Sequence, residues 1–213
     1  MRERSDGKAT REAILEAAEA EFAAHGYAAA SMRDICGKAG VNAALANRYF
    51  GSKANLYRRV ADRLFGRLGA PMMRVPPAVS DAEGWRRAIR LWVEDFLFMT
   101  LPTRKAQRRC AALFRHEVTH PTKFHAEFKR DFGKPVYEAL RGLLAMAVAD
   151  PVQLDLWAAA IWSQVSVYAL ADEKWHASFR PKGVDVRAWA DQVRDFICES
   201  LFRSLSFKKK GGR

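Results

Sequence analysis

The stretch ASMRDICGKAGVNAALANRYFGSKANLY, residues 30–57, constrains this chain more than any other. Ser31 stands where a helix N-cap belongs and Asp34 follows three residues on, so a side chain can satisfy the first free N–H groups of a helix that begins there. Ile35 and Ala39 give that helix its inward face. Gly37 and Gly40 bracket a turn, and Gly40 supplies the left-handed conformation that stops a helix while the chain reverses. Asn42 then caps a second short helix over residues 43–50, whose apolar surface is limited to Val41, Leu45, Ala46 and Phe50. Its other face shows Ala43, Ala44, Asn47, Arg48 and Tyr49. A solvated surface helix normally mixes both charge signs, yet residues 31–68 hold eight Lys or Arg against two Asp or Glu. Two helices joined by a short Gly-containing turn, the second basic and poor in acids, are what reading the major groove of double-stranded DNA requires.

Around this motif the apolar spacing predicts helices throughout. Residues 10–25 carry Ile14, Ala18 and Phe22 along one side and glutamates on the other. The preceding arm, residues 1–9, has no apolar periodicity and is expected to lack structure without DNA. Ser52 caps a helix over residues 53–68 with Leu56, Val60, Leu64 and Phe65 facing inward, and residues 69–79, with Pro71, Pro76 and Pro77, read as a linker. Ser80-Asp81-Ala82-Glu83 is a capping box, opening a helix that carries Trp85, Ile89, Trp92, Phe96 and Met99 and ends at Pro102. Further helices are expected over residues 103–119, over 121–149 with a bend at Gly133-Lys134-Pro135, over 150–175 behind Asp150-Pro151, and over 186–207 behind the cap Asp185. Alternating apolar runs bounded by turns are absent, so no strand is expected.

Residues 40–57 resemble the recognition helix and following signature of the TetR family of one-component transcriptional regulators, roughly G-V-S-x-x-x-L-Y-x-H-F-x-S-K-x-x-L. The family's first helix is matched by residues 10–25, and its G-[YF]-x-x-x-[ST]-x-x-x-I link by Gly26, Tyr27, Ser31 and Ile35, so the likeness runs almost continuously over residues 10–64. Asn47 stands where many members carry Tyr, and Leu45-Ala46 reverses the usual order of small then large. The resemblance implies an all-α fold: a three-helix helix-turn-helix DNA-binding head (residues 1–52), a connecting fourth helix (53–68), and a helical ligand-binding and dimerisation body (80–207) with a basic tail (208–213). It also implies a homodimer on palindromic operator DNA, usually a repressor, released by a small-molecule effector. Ser31, Arg33, Asn42, Ala43, Ala44, Asn47, Arg48, Tyr49 and Lys53 are then the residues facing DNA. In the body, residues 113–128 and 161–169 are similar to two segments of the CecR-like (YbiH-like) subgroup; Glu117, Pro121, Thr122, Gln164 and Tyr168 fall on its pattern, while His116, Lys123 and His125 depart from it.

Composition narrows the classes without choosing among them. A formal charge of +12 favours an anionic partner, whether nucleic acid, membrane surface or acidic ligand. Cys36, Cys110 and Cys198 are too few and too scattered for a disulfide framework and are expected as small buried hydrophobes in a reducing cytoplasm. No span approaches the ~20 continuous apolar residues of a membrane helix, and residues 1–8 are too polar for a signal peptide; a cytoplasmic protein with no membrane partner is expected.

One motif points elsewhere. His116-Glu117-Val118-Thr119-His120 is a literal H-E-x-x-H, which on a helix puts two imidazoles on one face for zinc with the Glu placed to deprotonate a bound water. Pro121 sets it at a helix end, and no third ligand follows at the short spacing. A zinc hydrolase, or a metal sensor using His116, His120 and His125, is therefore the alternative to a regulator without metal, cofactor or catalysis; a charge-driven non-specific nucleic-acid binder is another.

For the body, apolar walls with a few polar groups define the expected pocket: Trp92, Phe96, Met99, Leu113, His116, Glu117, Phe124, Phe128, Trp162 and Gln164. The aromatic stripe of Trp85, Trp92 and Phe96 also suits an ordinary core. Ile161, Val165, Trp189, Val193, Phe196 and Ile197 on the last two long helices are expected at a two-fold interface. Beyond Leu68 there are 24 Lys or Arg against 16 Asp or Glu, a balance that favours a neutral or anionic effector.

Overall fold

The computed structural model describes residues 2–69, 79–100, 105–170 and 173–208, and these are helical or connect helices, with no strand among them. The helices are α1 (Arg2–Ala29), α2 (Met32–Ala39), α3 (Ala43–Phe50), α4 (Lys53–Gly69), α5 (Ala82–Thr100), α6 (Lys105–Thr119), α7 (His125–Phe128), α8 (Lys134–Leu144), α9 (Pro151–Leu170), α10 (Glu173–Phe179) and α11 (Val186–Ser204), with a π-helical turn, Lys129–Gly133, between α7 and α8.

Caps written in the sequence set the boundaries of the motif. Ser31 accepts the Asp34 N–H at 3.0 Å and Asn42 accepts that of Leu45 at 2.8 Å, while Gly40 (φ 66°) closes α2 in the left-handed region. Ser52 accepts the Asn55 N–H at 3.2 Å to open α4.

Elsewhere the boundaries shift. Helix α1 begins at Arg2 rather than Thr10, because residues 2–9 contain no proline and extend a helix already nucleated by its apolar face. The cap of α5 is Asp81, which accepts the Gly84 N–H at 2.7 Å, so Ser80 lies one residue outside the helix. The helix expected over residues 121–149 divides into α7, the π turn and α8, while that expected over 150–175 is described as α9 up to Leu170 and as α10 from Glu173, residues 171–172 lying outside the described residues. Most of the proline-rich linker (residues 70–78), Pro102 and residues 209–213 of the tail lie outside the described residues.

Buried apolar side chains form one cluster from Ile14 to Phe202. In the N-terminal part Ile14, Ala18 and Phe22 of α1 meet Ile35, Ala46, Phe50 and Leu56, so the three short elements share a core that none would bury alone. In the body Trp85 and Trp92 are buried, and each indole N–H finds a carbonyl, Leu143 at 2.8 Å and Val136 at 3.2 Å. Helix α6 packs on both α1 and α4, so the body touches the N-terminal unit directly. At that seam Glu19 is buried, with Arg63 of α4 at 2.7 Å and Arg109 of α6 at 2.9 Å. Glu21 is likewise buried and pairs with Lys38. The glutamate face of α1 is thus partly interior, because arginines and a lysine from three other helices supply its counter-charges.

Candidate nucleic-acid interface and interdomain cleft

Helix α3 is held by one side only. Ala46 and Phe50 are buried and Leu45 is half-buried, which decides the reversed Leu45-Ala46 order in favour of the smaller residue inside. Asn42, Ala43, Ala44, Asn47 and Arg48 are exposed on the remaining face, with Arg33 exposed on α2 and Ser31 half-buried at its cap. Two members of the expected set are already engaged within the protein. The Tyr49 hydroxyl lies where a Cβ on Gly7 would come within 3.1 Å, so the N-terminal turns of α1 pass beside α3. Lys53 is half-buried, its Nζ 4.7 Å over the Tyr27 ring and 3.3 Å from the Ala28 carbonyl. Gly51 (φ 73°), unnoticed in the sequence, ends α3; its place inside F-G-S-K was the available signal.

Two residues beyond, α4 leads to the body. Tyr57 donates to the buried carboxylate of Glu117 on α6, which also accepts from the Thr122 hydroxyl at 2.8 Å. Burial, then the bond to Glu117, push the Tyr57 hydroxyl well above the ordinary tyrosine range. Next to it a cleft of about 350 Å³ opens between α4 and the segment from α6 to the π turn. Tyr57, Phe65, Phe124, Phe128 and Phe132 wall it, and Asp62, Glu117, Glu127, Asp131 and Arg58 bring charge to it. Arg58 clamps Glu127 at 2.8 and 2.9 Å across the opening, and its hydrogen bonds hold the Glu127 carboxyl below the usual carboxylate range.

The expected pocket is not one place. Glu117, Phe124 and Phe128 line the cleft. Trp92, Phe96 and Trp162 instead pack on one another, with centroids 5.3 to 6.3 Å apart, and Leu113 is fully buried; that stripe is core, as its helical spacing allowed. His116 packs on Gly26, Gln164 is exposed on α9, and the Met99 side chain lies outside the described residues. The expected interface residues divide too. Ile161, Val165, Val193 and Ile197 are buried in the protomer's own core, Trp189 is half-buried, and Phe196 is 74% exposed.

The H-E-x-x-H segment does not converge as a metal site. The Glu117 carboxylate is taken up by Tyr57 and Thr122, His120 is exposed beside the Thr119 hydroxyl at 3.0 Å, and His125 Nδ1 lies 2.9 Å from the Glu117 carbonyl. Among the described residues no group of three His, Cys, Asp or Glu is placed to hold a metal ion.

A capped helix pair that offers the free face of its second helix, carried by a helical body, defines an all-helical helix-turn-helix protein. Residues 14–60 match the family described as bacterial regulatory proteins, tetR family. The HTH-type transcriptional repressor SCO4008 of Streptomyces coelicolor is 39% identical over 80 residues, 38% of this chain and 40% of that protein, so the match spans less than half of the relative's length. A transcriptional regulator from Rhodococcus sp. Rha1 has a similar structure (TM-score 0.66, 20% identity, covering 92% of this chain and 97% of that one). So does FadR from Bacillus subtilis in complex with stearoyl-CoA (TM-score 0.61, 15% identity, covering 88% and 97%). Residues 14–60 thus carry the N-terminal region described for that family, and nothing in these matches singles out the CecR-like subgroup.

Proposed function

We propose that this protein is a transcriptional repressor that binds operator DNA as a homodimer, is released by a small-molecule effector, and is not an enzyme. The observation that carries the reading is the free face of α3: small residues, two amides and Arg48 on a helix whose other side is locked into the N-terminal core. Ala43 and Ala44 let the helix approach base edges, while Asn42, Asn47 and Arg48 supply hydrogen bonds and charge. The Streptomyces relative, described as a repressor, supports the direction of control.

The division of labour follows the chain, with residues 1–52 as the DNA-binding head, α4 as connector and residues 80–207 as the effector and dimer body. Helices α9 and α11 leave a groove between them lined by Gln164, Val167, Tyr168, Trp189 and Phe196, and Leu156 and Val152 are exposed further along α9. So much apolar surface on two neighbouring helices suits a two-fold partner, which would set two copies of α3 on a palindrome. The cleft beside Tyr57 is the effector site in this reading, supported by a protein of this fold having been characterised with stearoyl-CoA bound. An effector there bears on α4, and α4 follows α3 after only Gly51 and Ser52, so its differential affinity for two positions of α4 becomes a shift of the recognition helix. Among the described residues no helix is long and apolar enough to cross a membrane, and the protein is proposed to act beside its DNA in the cytoplasm.

Selecting fragments of the source genome on the purified protein, then competing them against random DNA, tests this. A recurrent palindrome retained against excess random DNA is expected. Retention that random DNA removes at equal concentration would reduce the protein to a charge-driven binder.

A further inference from the structure

We infer that the body contributes a phosphate-binding residue of its own to the DNA interface: Lys123, on the turn between α6 and α7, which shares one aromatic ring with Lys53 of α4. The inference rests on the reading of the α3 face as a DNA-binding surface and deepens it. Every residue expected at DNA from the sequence lies between Ser31 and Lys53, whereas Lys123 stands 70 residues beyond Lys53.

The turn is fixed on both sides of Lys123. The Thr122 hydroxyl donates to the Glu117 carboxylate at 2.8 Å and accepts the Phe124 N–H at 3.1 Å, and the His125 N–H donates to the Thr122 carbonyl at 3.0 Å. Phe124 is buried, whereas Lys123 is exposed. The Lys123 ammonium lies 5.3 Å from the centre of the Phe124 ring and 5.8 Å from that of Tyr27, the ring that also carries the Lys53 ammonium at 4.7 Å. The two amines are therefore within 10.5 Å of each other, although one belongs to the helix that follows α3 and the other to the body. An ammonium has three N–H donors and keeps some of them for a second partner while it rests on a ring.

Neither lysine has a carboxylate partner among the described residues. The acids of this seam are committed elsewhere: Glu117 to Tyr57 and Thr122, Glu127 to Arg58, and Glu21 to Lys38. Two unpaired like charges within roughly one Debye length, about 10 Å at 0.1 M salt, repel each other. A row of phosphates relieves that repulsion and releases its condensed counterions. Successive phosphates on one strand advance about 3.4 Å along the helix axis, so the span between the amines matches a run of up to about three of them. Lys53 marks where that strand passes, because it follows α3 after Gly51 and Ser52 and reaches the Ala28 carbonyl, three residues before Ser31. Lys129 provides a contrast: it is exposed on the body but follows Phe128, which packs on Phe65, twelve residues and about 18 Å along α4 from Lys53. Phosphates held by Lys53 and Lys123 together tie α4 to the turn whose next residue, Phe124, walls the cleft, so bound DNA favours the present arrangement of the seam.

The test measures binding of the full chain to two labelled duplexes, a genome-selected fragment and one of unselected sequence, by fluorescence anisotropy across a salt series. Lys123→Gln is expected to flatten the dependence of log affinity on log salt by about 0.9 for each bound subunit. The flattening should be the same on both duplexes and leave their affinity ratio unchanged, since a phosphate contact carries no sequence information. Lys123→Arg keeps the charge and is expected to keep the wild-type slope, and Lys129→Gln is expected to match the wild type. Helical circular dichroism should be unchanged in all three, and a merely structural effect of Lys123→Gln would lower affinity at every salt concentration alike without changing the slope. An unchanged slope in Lys123→Gln while Lys53→Gln flattens it overturns the inference and leaves the docking of α3 in place. Equal flattening by Lys129→Gln also overturns it, because diffuse charge then replaces a placed residue. Slopes unchanged in both Lys53→Gln and Lys123→Gln overturn the docking and the inference together. A wild type that binds both duplexes equally rejects the sequence-specific regulator, while the Lys123→Gln slope on the unselected duplex still decides the phosphate contact.

Discussion

Tyr57 on α4 donates its hydroxyl to the Glu117 carboxylate on α6, a buried bond across the seam between the helix that follows α3 and the body. Around it Tyr27 meets Tyr57 and Phe124 edge to face while Tyr57 and Phe124 are tilted at 31°, all with centroids 4.9 to 5.1 Å apart, so one polar bond sits inside an aromatic cluster drawn from α1, α4 and the segment before α7.

Tyr57→Phe keeps the ring and removes the donor, leaving Glu117 with Thr122 alone, and is expected to cost about 1–3 kcal/mol of stability in urea denaturation at pH 7. The variant also predicts a pH effect. The folded-state pKa of Tyr57 is raised, so the stabilisation from keeping its proton is complete below the unfolded value near 10 and is lost as pH rises beyond it. The urea midpoint of the wild type should therefore fall more steeply between pH 9 and 11 than that of Tyr57→Phe. Parallel slopes would show that Tyr57 titrates as an ordinary tyrosine.

Gly26 holds a φ of 69°, and a Cβ there would lie 3.0 Å from His116 Nδ1. With ψ at 178° this is a region essentially confined to glycine, so Gly26→Ala adds a backbone penalty of about 1–3 kcal/mol to a steric one, and thermal unfolding should shift downward by several degrees. Adding His116→Ala should recover only the steric part. Full recovery would mean that the backbone strain is absent.

How far the sequence foretold this arrangement depends on the range of the forces involved. Ser31, Asn42, Ser52 and Asp185 accept from N–H groups within a few residues, Gly40 donates its own N–H to carbonyls of the preceding turn, and all five appear as caps. The apolar stripes of α4 and α5 likewise show directly in their spacing. The site in the body was only partly legible, because Trp92, Phe96 and Trp162 have the same composition whether they line a pocket or fill a core, and only the packing of α5 against α9 decides. Arg58 and Glu127, 69 residues apart, carried no local sign of their pairing, and Tyr57 read as the end of a DNA-binding signature although it points to Glu117.

Phe196 is 74% exposed on α11 while its neighbour Ile197 is 5% exposed in the protomer core. Phe196→Glu should therefore spare the fold and act on assembly, whereas Ile197→Glu should unfold the protein. Light scattering coupled to size exclusion at micromolar concentration is expected to give dimers for the wild type and monomers for Phe196→Glu, with circular dichroism unchanged. A wild type that elutes as a monomer would remove the proposed interface.

Arg48 and Lys53 are expected to separate on DNA, and their different surroundings in the fold add a difference in what each contributes to stability. Each charge that neutralises a phosphate contributes close to one unit to the dependence of log affinity on log salt, so both Arg48→Ala and Lys53→Ala should flatten that slope by about 0.9. Arg48 stands on the exposed face of α3, and its removal should leave the melting temperature unchanged while also narrowing the gap between selected and random sequences. Lys53 lies over the Tyr27 ring at 4.7 Å and reaches the Ala28 carbonyl, so its loss should weaken all sequences alike and cost about 0.5–1 kcal/mol of stability as well. Salt titrations by fluorescence anisotropy, run beside thermal melts of the same proteins, resolve the two. If neither slope changes, α3 and the start of α4 do not face the phosphates and the proposed docking is lost; if Arg48→Ala lowers stability and Lys53→Ala does not, their roles are reversed.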